Sequence, residues 1–145
     1  MGEGLIDGRK CLSYLTVEHK GPTDRKYWPV AGGRIFGCDS CQHACPHNCD
    51  VPLGEAELVG ELNTLASAEL SEMLDWTEDQ WLSACRDTAG QRSGPERLVS
   101  NAIIAAGNSG DASLAPALQR LKGRCPQWVE LADWAVERLA WSDQV

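Results

Sequence analysis

Apolar residues return with helical spacing through most of the second half of the chain. From Glu55 to Leu74 the residues Leu58, Leu62, Leu65, Leu70 and Leu74 recur at mostly helical intervals and predict a helix there. Thr77-Glu78-Asp79-Gln80 forms a capping box ahead of Trp81, Leu82 and Cys85. Ser93-Gly94-Pro95-Glu96 reads as a second box, opening a stripe of Leu98, Val99, Ala102, Ile103 and Ala106 that Gly107-Asn108 is expected to close. Leu114, Leu118 and Leu121 make a further stripe, broken at Gly123. Pro126 opens a last helix with Trp128, Leu131, Ala135 and Leu139 on one face. Strand-like alternation is missing from this half, and short helices joined by brief Gly/Ser/Asp turns predict a HEAT-like helical stack.

The first 50 residues carry a weaker pattern. Leu12 and Leu15 stand at i, i+3 within Cys11–Glu18, which favours a short helix, while Tyr14 and Thr16 would suit a strand. Lys20-Gly21-Pro22-Thr23-Asp24 breaks the chain, and residues 27–33 read as a turn-rich approach to a cysteine run. Asp50 and Pro52 fit a helix start. The expected architecture is mainly α, with a cysteine-bearing unit over residues 1–52 and a HEAT-like α-helical repeat unit over residues 53–145.

Charge sharpens that division. Residues 1–50 hold six basic and six acidic residues, whereas residues 51–145 hold seven and fifteen, which is the whole net charge of −8. A surface of this sign repels nucleic acid on average, so an RNA contact needs a local basic patch. Arg92, Arg97 and Arg124 are the candidates, standing at helix junctions with Arg86, Arg120 and Lys122; the bland reading of the same residues is a solvated surface. No window approaches a membrane span, and no basic and apolar leader opens the sequence. A cytoplasmic location is expected, where thiols stay reduced.

The seven cysteines change the picture most. They lie at 11, 38, 41, 45, 49, 85 and 125, five of them in the first 50 residues. Cys38, Cys41, Cys45 and Pro46 reproduce the last part of the run C-x2-C-x2-C-x3-C-P, whose final cysteine binds the other cluster of a ferredoxin pair. Where the first cysteine of that run would lie stands Ile35. The isolated Cys11 is the natural further thiolate. Zinc is the competing metal, with Cys49, His43 or His47 as extra donors. Cys85 and Cys125 sit in helical contexts and read as core residues.

Gly8-Arg9-Lys10-Cys11-Leu12-Ser13-Tyr14-Leu15-Thr16-Val17-Glu18, Gly33-Arg34-Ile35-Phe36-Gly37-Cys38-Asp39-Ser40-Cys41-Gln42 and Cys45-Pro46 closely resemble epoxyqueuosine reductase. The resemblance continues in Glu96-Arg97-Leu98-Val99-Ser100-Asn101-Ala102 and Ala105-Ala106-Gly107-Asn108, so it covers nearly the whole chain. It implies the C-terminal portion of such an enzyme: a partial ferredoxin-like iron–sulfur segment, then a HEAT-like unit that helps hold a tRNA anticodon stem-loop. The family reduces epoxyqueuosine to queuosine at the tRNA wobble position, using cobalamin and two [4Fe-4S] clusters. On this mapping Cys11, Cys38 and Cys41 are three ligands of one cluster, and Cys45 is a single ligand of the other. Both ligand sets are incomplete within this chain.

The family's cobalamin-binding region and general acid precede the matching part. No catalytic residue is therefore assigned, and the chain alone is expected to be inactive. A separately encoded cobalamin-binding half is the implied partner. Two departures stand out: His47 follows Cys45-Pro46 where the family usually has Trp, and Ser100 replaces a favoured Arg. The alternative reading is a small iron–sulfur or zinc adaptor with a helical repeat.

Overall fold

The computed structural model describes residues 7–49 and 64–142. The described residues are helical or irregular, with no strand among them. Helices are α1 (Trp28–Ala31), α2 (Ser40–His43), α3 (Thr64–Ser67), α4 (Leu70–Asp75), α5 (Glu78–Cys85), α6 (Gly90–Ser93), α7 (Pro95–Ser109), α8 (Ala115–Arg124) and α9 (Val129–Ser142). A π-helical turn, Tyr14–Glu18, precedes them. The boundary expected at residues 52 and 53, the cap at Asp50 and Pro52, and Leu58 and Leu62 all lie outside the described residues.

Helix α7 is the axis of the molecule. Leu98, Ala102, Ile103 and Ala106 are fully buried, and α9, α4, α5 and α1 pack around it. Leu74, Leu118 and Leu139 complete the deepest layer from α4, α8 and α9. The same core takes Trp28 and Ala31 from α1, so the N-terminal segment packs directly on the helical unit. Trp28 meets Trp134 edge to face, with ring centroids 5.3 Å apart, while its indole N–H donates to the Thr23 carbonyl at 2.9 Å.

The capping box at Thr77 forms as its sequence implies. The Gln80 amide donates to Thr77 Oγ1 at 3.3 Å, and Gln80 Oε1 accepts from the Thr77 amide at 2.8 Å. Three other expectations need correction. The helix through Leu65 and Leu70 is interrupted at Ala68 and Glu69, where Glu69 is extended. Five residues separate Leu65 from Leu70, about 140° out of phase on a continuous helix, and the break lets both reach the core.

Ser93 does not cap α7. Gly94 occupies the cap position with φ +79°, and Ser93 Oγ is buried without a partner. Nor do Gly107 and Asn108 end α7, which runs on to Ser109 and stops at the left-handed Gly110. Gly107 is glycine for a packing reason instead: a Cβ there would stand 2.8 Å from Ala135 Cα and 2.8 Å from the Trp134 ring.

Candidate metal centre

Each cysteine of the expected site is placed by a short turn. Asp7 accepts from the Arg9 amide and starts a helical turn at 8–10, and Cys11 closes it by donating its amide to the Gly8 carbonyl at 3.2 Å. The Cys11 carbonyl then accepts from Leu15 at 3.0 Å, which begins the next turn. Before Cys38 the chain passes through Gly37 at φ +74°, a conformation that only glycine adopts freely. Cys41 lies within α2. Cys45 follows α2, its amide bonded to the Gln42 carbonyl at 3.2 Å. Pro46 opens another short turn, which Asn48 fastens back by donating to Gln42 O and Oε1 at 3.0 and 2.9 Å.

All seven cysteines are free thiols. Cys11, Cys38 and Cys45 are half-buried, while Cys41 and Cys49 are exposed. The Cys38 thiol is held below its usual pKa by hydrogen bonds from the Ser40 hydroxyl and amide, with Arg34 adding a smaller electrostatic pull. Arg34 itself donates to Ser40 Oγ at 3.1 Å, so Arg34, Ser40 and Cys38 form one polar chain. Cys85 behaves oppositely: burial pushes its thiol up. It lies in the core, as its sequence context implies. Cys125 packs half-buried against the same core. His43 and His47 are exposed.

As donors, these thiols fit a metal cluster: four of them lie on two short segments, three are half-buried, and one is biased toward thiolate. Among the described residues, however, no three His, Cys, Asp or Glu side chains converge closely enough to hold a metal ion. Among those residues Cys11, Cys38, Cys41 and Cys45 therefore do not close a ligand ring, for iron or for zinc.

The three candidate arginines occupy different settings. Arg92 is exposed, pairs with Glu18 at 2.5 Å, and shares with Cys38 and Phe36 the wall of an open depression of about 690 Å³. Arg124 donates to the carbonyls of Leu74 and Asp75, each at 2.8 Å, and so caps the C-terminus of α4. Arg97 is only 8% exposed. Its guanidinium reaches Thr23 Oγ1 at 2.7 Å, the His19 carbonyl at 2.8 Å and the Gly21 carbonyl. Burial pulls its pKa below the ordinary arginine value.

Arg97 is one of three donors on a single line of α7. Asn101 donates to the carbonyls of Thr16 at 2.8 Å and Ile35 at 2.7 Å. Asn108 donates to those of Trp28 at 2.8 Å and Gly32 at 3.2 Å. At 100° per residue the three positions span a stripe about 40° wide. This stripe grips the N-terminal segment by its backbone. Sequence reasoning did not find it, although polar donors at i, i+4 and i+11 beside an apolar stripe are a readable signal.

Residues 1–48 match a family described as a 4Fe-4S double cluster binding domain. Over 143 residues the chain is 36% identical to the epoxyqueuosine reductase of Pseudomonas aeruginosa, covering 95% of this chain and 39% of that protein. The chain is a homologue of one part of the epoxyqueuosine reductases. It is likewise 36% identical over 132 residues to the Escherichia coli (strain K12) epoxyqueuosine reductase, covering 90% of this chain and 35% of the relative. A crystal structure of epoxyqueuosine reductase with a tRNA-Tyr epoxyqueuosine-modified stem-loop superposes with a TM-score of 0.79 at 27% identity. That match covers 94% of this chain and 36% of the solved one. The chain therefore spans a little over a third of the length of the relatives it matches.

Proposed function

We propose that this chain is the cluster-binding and RNA-docking part of an epoxyqueuosine reductase, its C-terminal portion, acting in reduction of epoxyqueuosine to queuosine in tRNA. The observation that carries the reading is the coincidence of Cys11, Cys38, Cys41 and Cys45 with the double-cluster match over residues 1–48. Cys11, Cys38 and Cys41 would hold one [4Fe-4S] cluster, and Cys45 would give one thiolate to a second. Such clusters supply one-electron transfer when bound.

Within this chain, Ser40 and Arg34 favour the Cys38 thiolate, and Asn101 on α7 ties down Thr16 and Ile35 between the two cysteine-bearing turns. The helices from 64 onward form a HEAT-like unit that docks the anticodon stem-loop. In that docking, Arg92 and Arg124 contact phosphates, and Arg97 contributes through the His19–Thr23 loop that it holds. Cobalamin and the proton-donating acid belong to a region outside the matched part, so the chain by itself is inactive.

The test is complementation in trans. Cells lacking their own epoxyqueuosine reductase receive this chain together with the remaining, cobalamin-binding part of the Pseudomonas aeruginosa enzyme. Nucleosides from their tRNA are then measured by mass spectrometry. Restored queuosine supports the reading; epoxyqueuosine persisting while both pieces are folded and soluble overturns it.

A further inference from the structure

Of the three donors on the α7 stripe, Asn101 alone grips the flanks of the cysteines. Arg97 holds the His19–Thr23 loop and Asn108 holds the 28–32 turn, neither of which contains a thiol. Asn101 is 2% exposed, and both N–H bonds of its amide are consumed, one on Thr16 and one on Ile35. Thr16, 3% exposed, links the same two segments a second time. Its hydroxyl donates to the Leu12 carbonyl at 2.8 Å and accepts from the Gly37 amide at 3.1 Å. Leu12 follows Cys11, and Gly37 precedes Cys38. One hydroxyl therefore joins the neighbours of two cysteines far apart in sequence, and a buried amide fixes that hydroxyl's residue to the core helix.

We propose that Thr16 and Asn101 are positioning residues that set the spacing and orientation of Cys11 relative to Cys38 as ligands of one cluster. The proposal rests on the cluster reading above. A buried polar group left without its partner is costly, so an arrangement that loses one of these bonds is penalised. Gly37, at φ +74°, makes this contact through its amide and immediately precedes Cys38. Every bond in the arrangement is between protein groups, so it can be followed in the metal-free chain.

The test uses the full chain in two states. In the metal-free, isotope-labelled protein, amide hydrogen exchange at Gly37 is followed by NMR. Thr16→Val and Asn101→Ala should each speed that exchange at least tenfold, while Asn108→Ala leaves it within twofold. After anaerobic reconstitution with iron and sulfide, the first two variants should retain several-fold less iron per chain or show a shifted EPR spectrum on reduction. Asn108→Ala and Thr16→Ser should match the unaltered chain.

Thr16→Val keeps the side-chain volume and decides the matter if Asn101→Ala does not fold. Unchanged Gly37 exchange in Thr16→Val overturns the proposal. So does an equal effect of Asn108→Ala, or altered exchange with cluster content and EPR spectrum unchanged. An unaltered chain that binds no iron while Gly37 follows the expected pattern removes the cluster reading and with it the ligand role; the backbone clamp alone survives.

Discussion

Gly107 offers a sharp test of the packing that supports the site. A methyl group there would stand 2.8 Å from Ala135 Cα, 2.8 Å from Trp134 Cζ3 and 3.0 Å from Ala135 Cβ. Two of these three contacts involve the α9 residue whose backbone lies against α7, so relief requires the helices to part. Trp134 cannot swing away freely, because it meets the Trp28 ring, and Trp28 is tied to the Thr23 carbonyl. Overpacking of this kind costs about 1–3 kcal/mol, and contacts to backbone place it in the upper half. The gain in helix propensity from Gly to Ala returns at most about 1 kcal/mol. Gly107→Ala should therefore lose about 1–2 kcal/mol net, a fall in Tm of roughly 3–8 °C for a chain of this size. Thermal unfolding followed by circular dichroism measures it. Gly123→Ala is the control, since nothing lies within 4 Å of a Cβ there and its Tm should hold or rise slightly. A Gly107→Ala variant as stable as the parent would refute the close α7–α9 approach.

Thr77→Ala removes the hydroxyl half of the capping box and should cost about 1 kcal/mol, read as a lower urea midpoint at constant m-value; an unchanged midpoint would show that the box contributes nothing. The Arg120 guanidinium holds the Asp75 carboxyl below its usual value, so this pair adds stability that is present at neutral pH and is lost as pH falls below about 4 toward the lowered pKa. Asp75→Asn should flatten that acid limb while leaving its shape near pH 7 unaltered, and an identical acid transition would contradict the pairing. In native alkylation followed by peptide mass spectrometry, exposed Cys41 should react fast and buried Cys85, with its raised thiol pKa, should react last. Comparable rates would place Cys85 outside the core.

The helical periods were legible because the apolar stripes reach the core: Leu98, Ala102, Ile103 and Ala106 are fully buried, although Ser100, Asn101, Ile104 and Ala105 between them are buried too and Val99 is only half-buried. Local hydrogen-bond codes were legible where both partners are near in sequence, as at Thr77 and Gln80. They misled where a turn residue serves a distant neighbour. Gly107-Asn108 has the composition of a helix end, yet Gly107 makes room for Ala135, and Asn108 reaches back to Trp28 and Gly32. The cysteine spacing was readable because C-x2-C-x3-C-P reproduces part of a recognised cluster-binding run. The Thr16–Asn101 link was not, because its partners are separated by 85 residues and joined through backbone carbonyls, which leave no trace in side-chain identity.

The proposed function stands on ligation of iron–sulfur clusters by Cys11, Cys38, Cys41 and Cys45. The most direct measurement is the iron and acid-labile sulfide content of the anaerobically purified full chain, beside a Cys38→Ser variant. Iron and sulfide are expected in equal amounts, about four of each per cluster bound, with a marked loss in Cys38→Ser. Stoichiometric zinc without sulfide, or iron binding indifferent to Cys38, would contradict it.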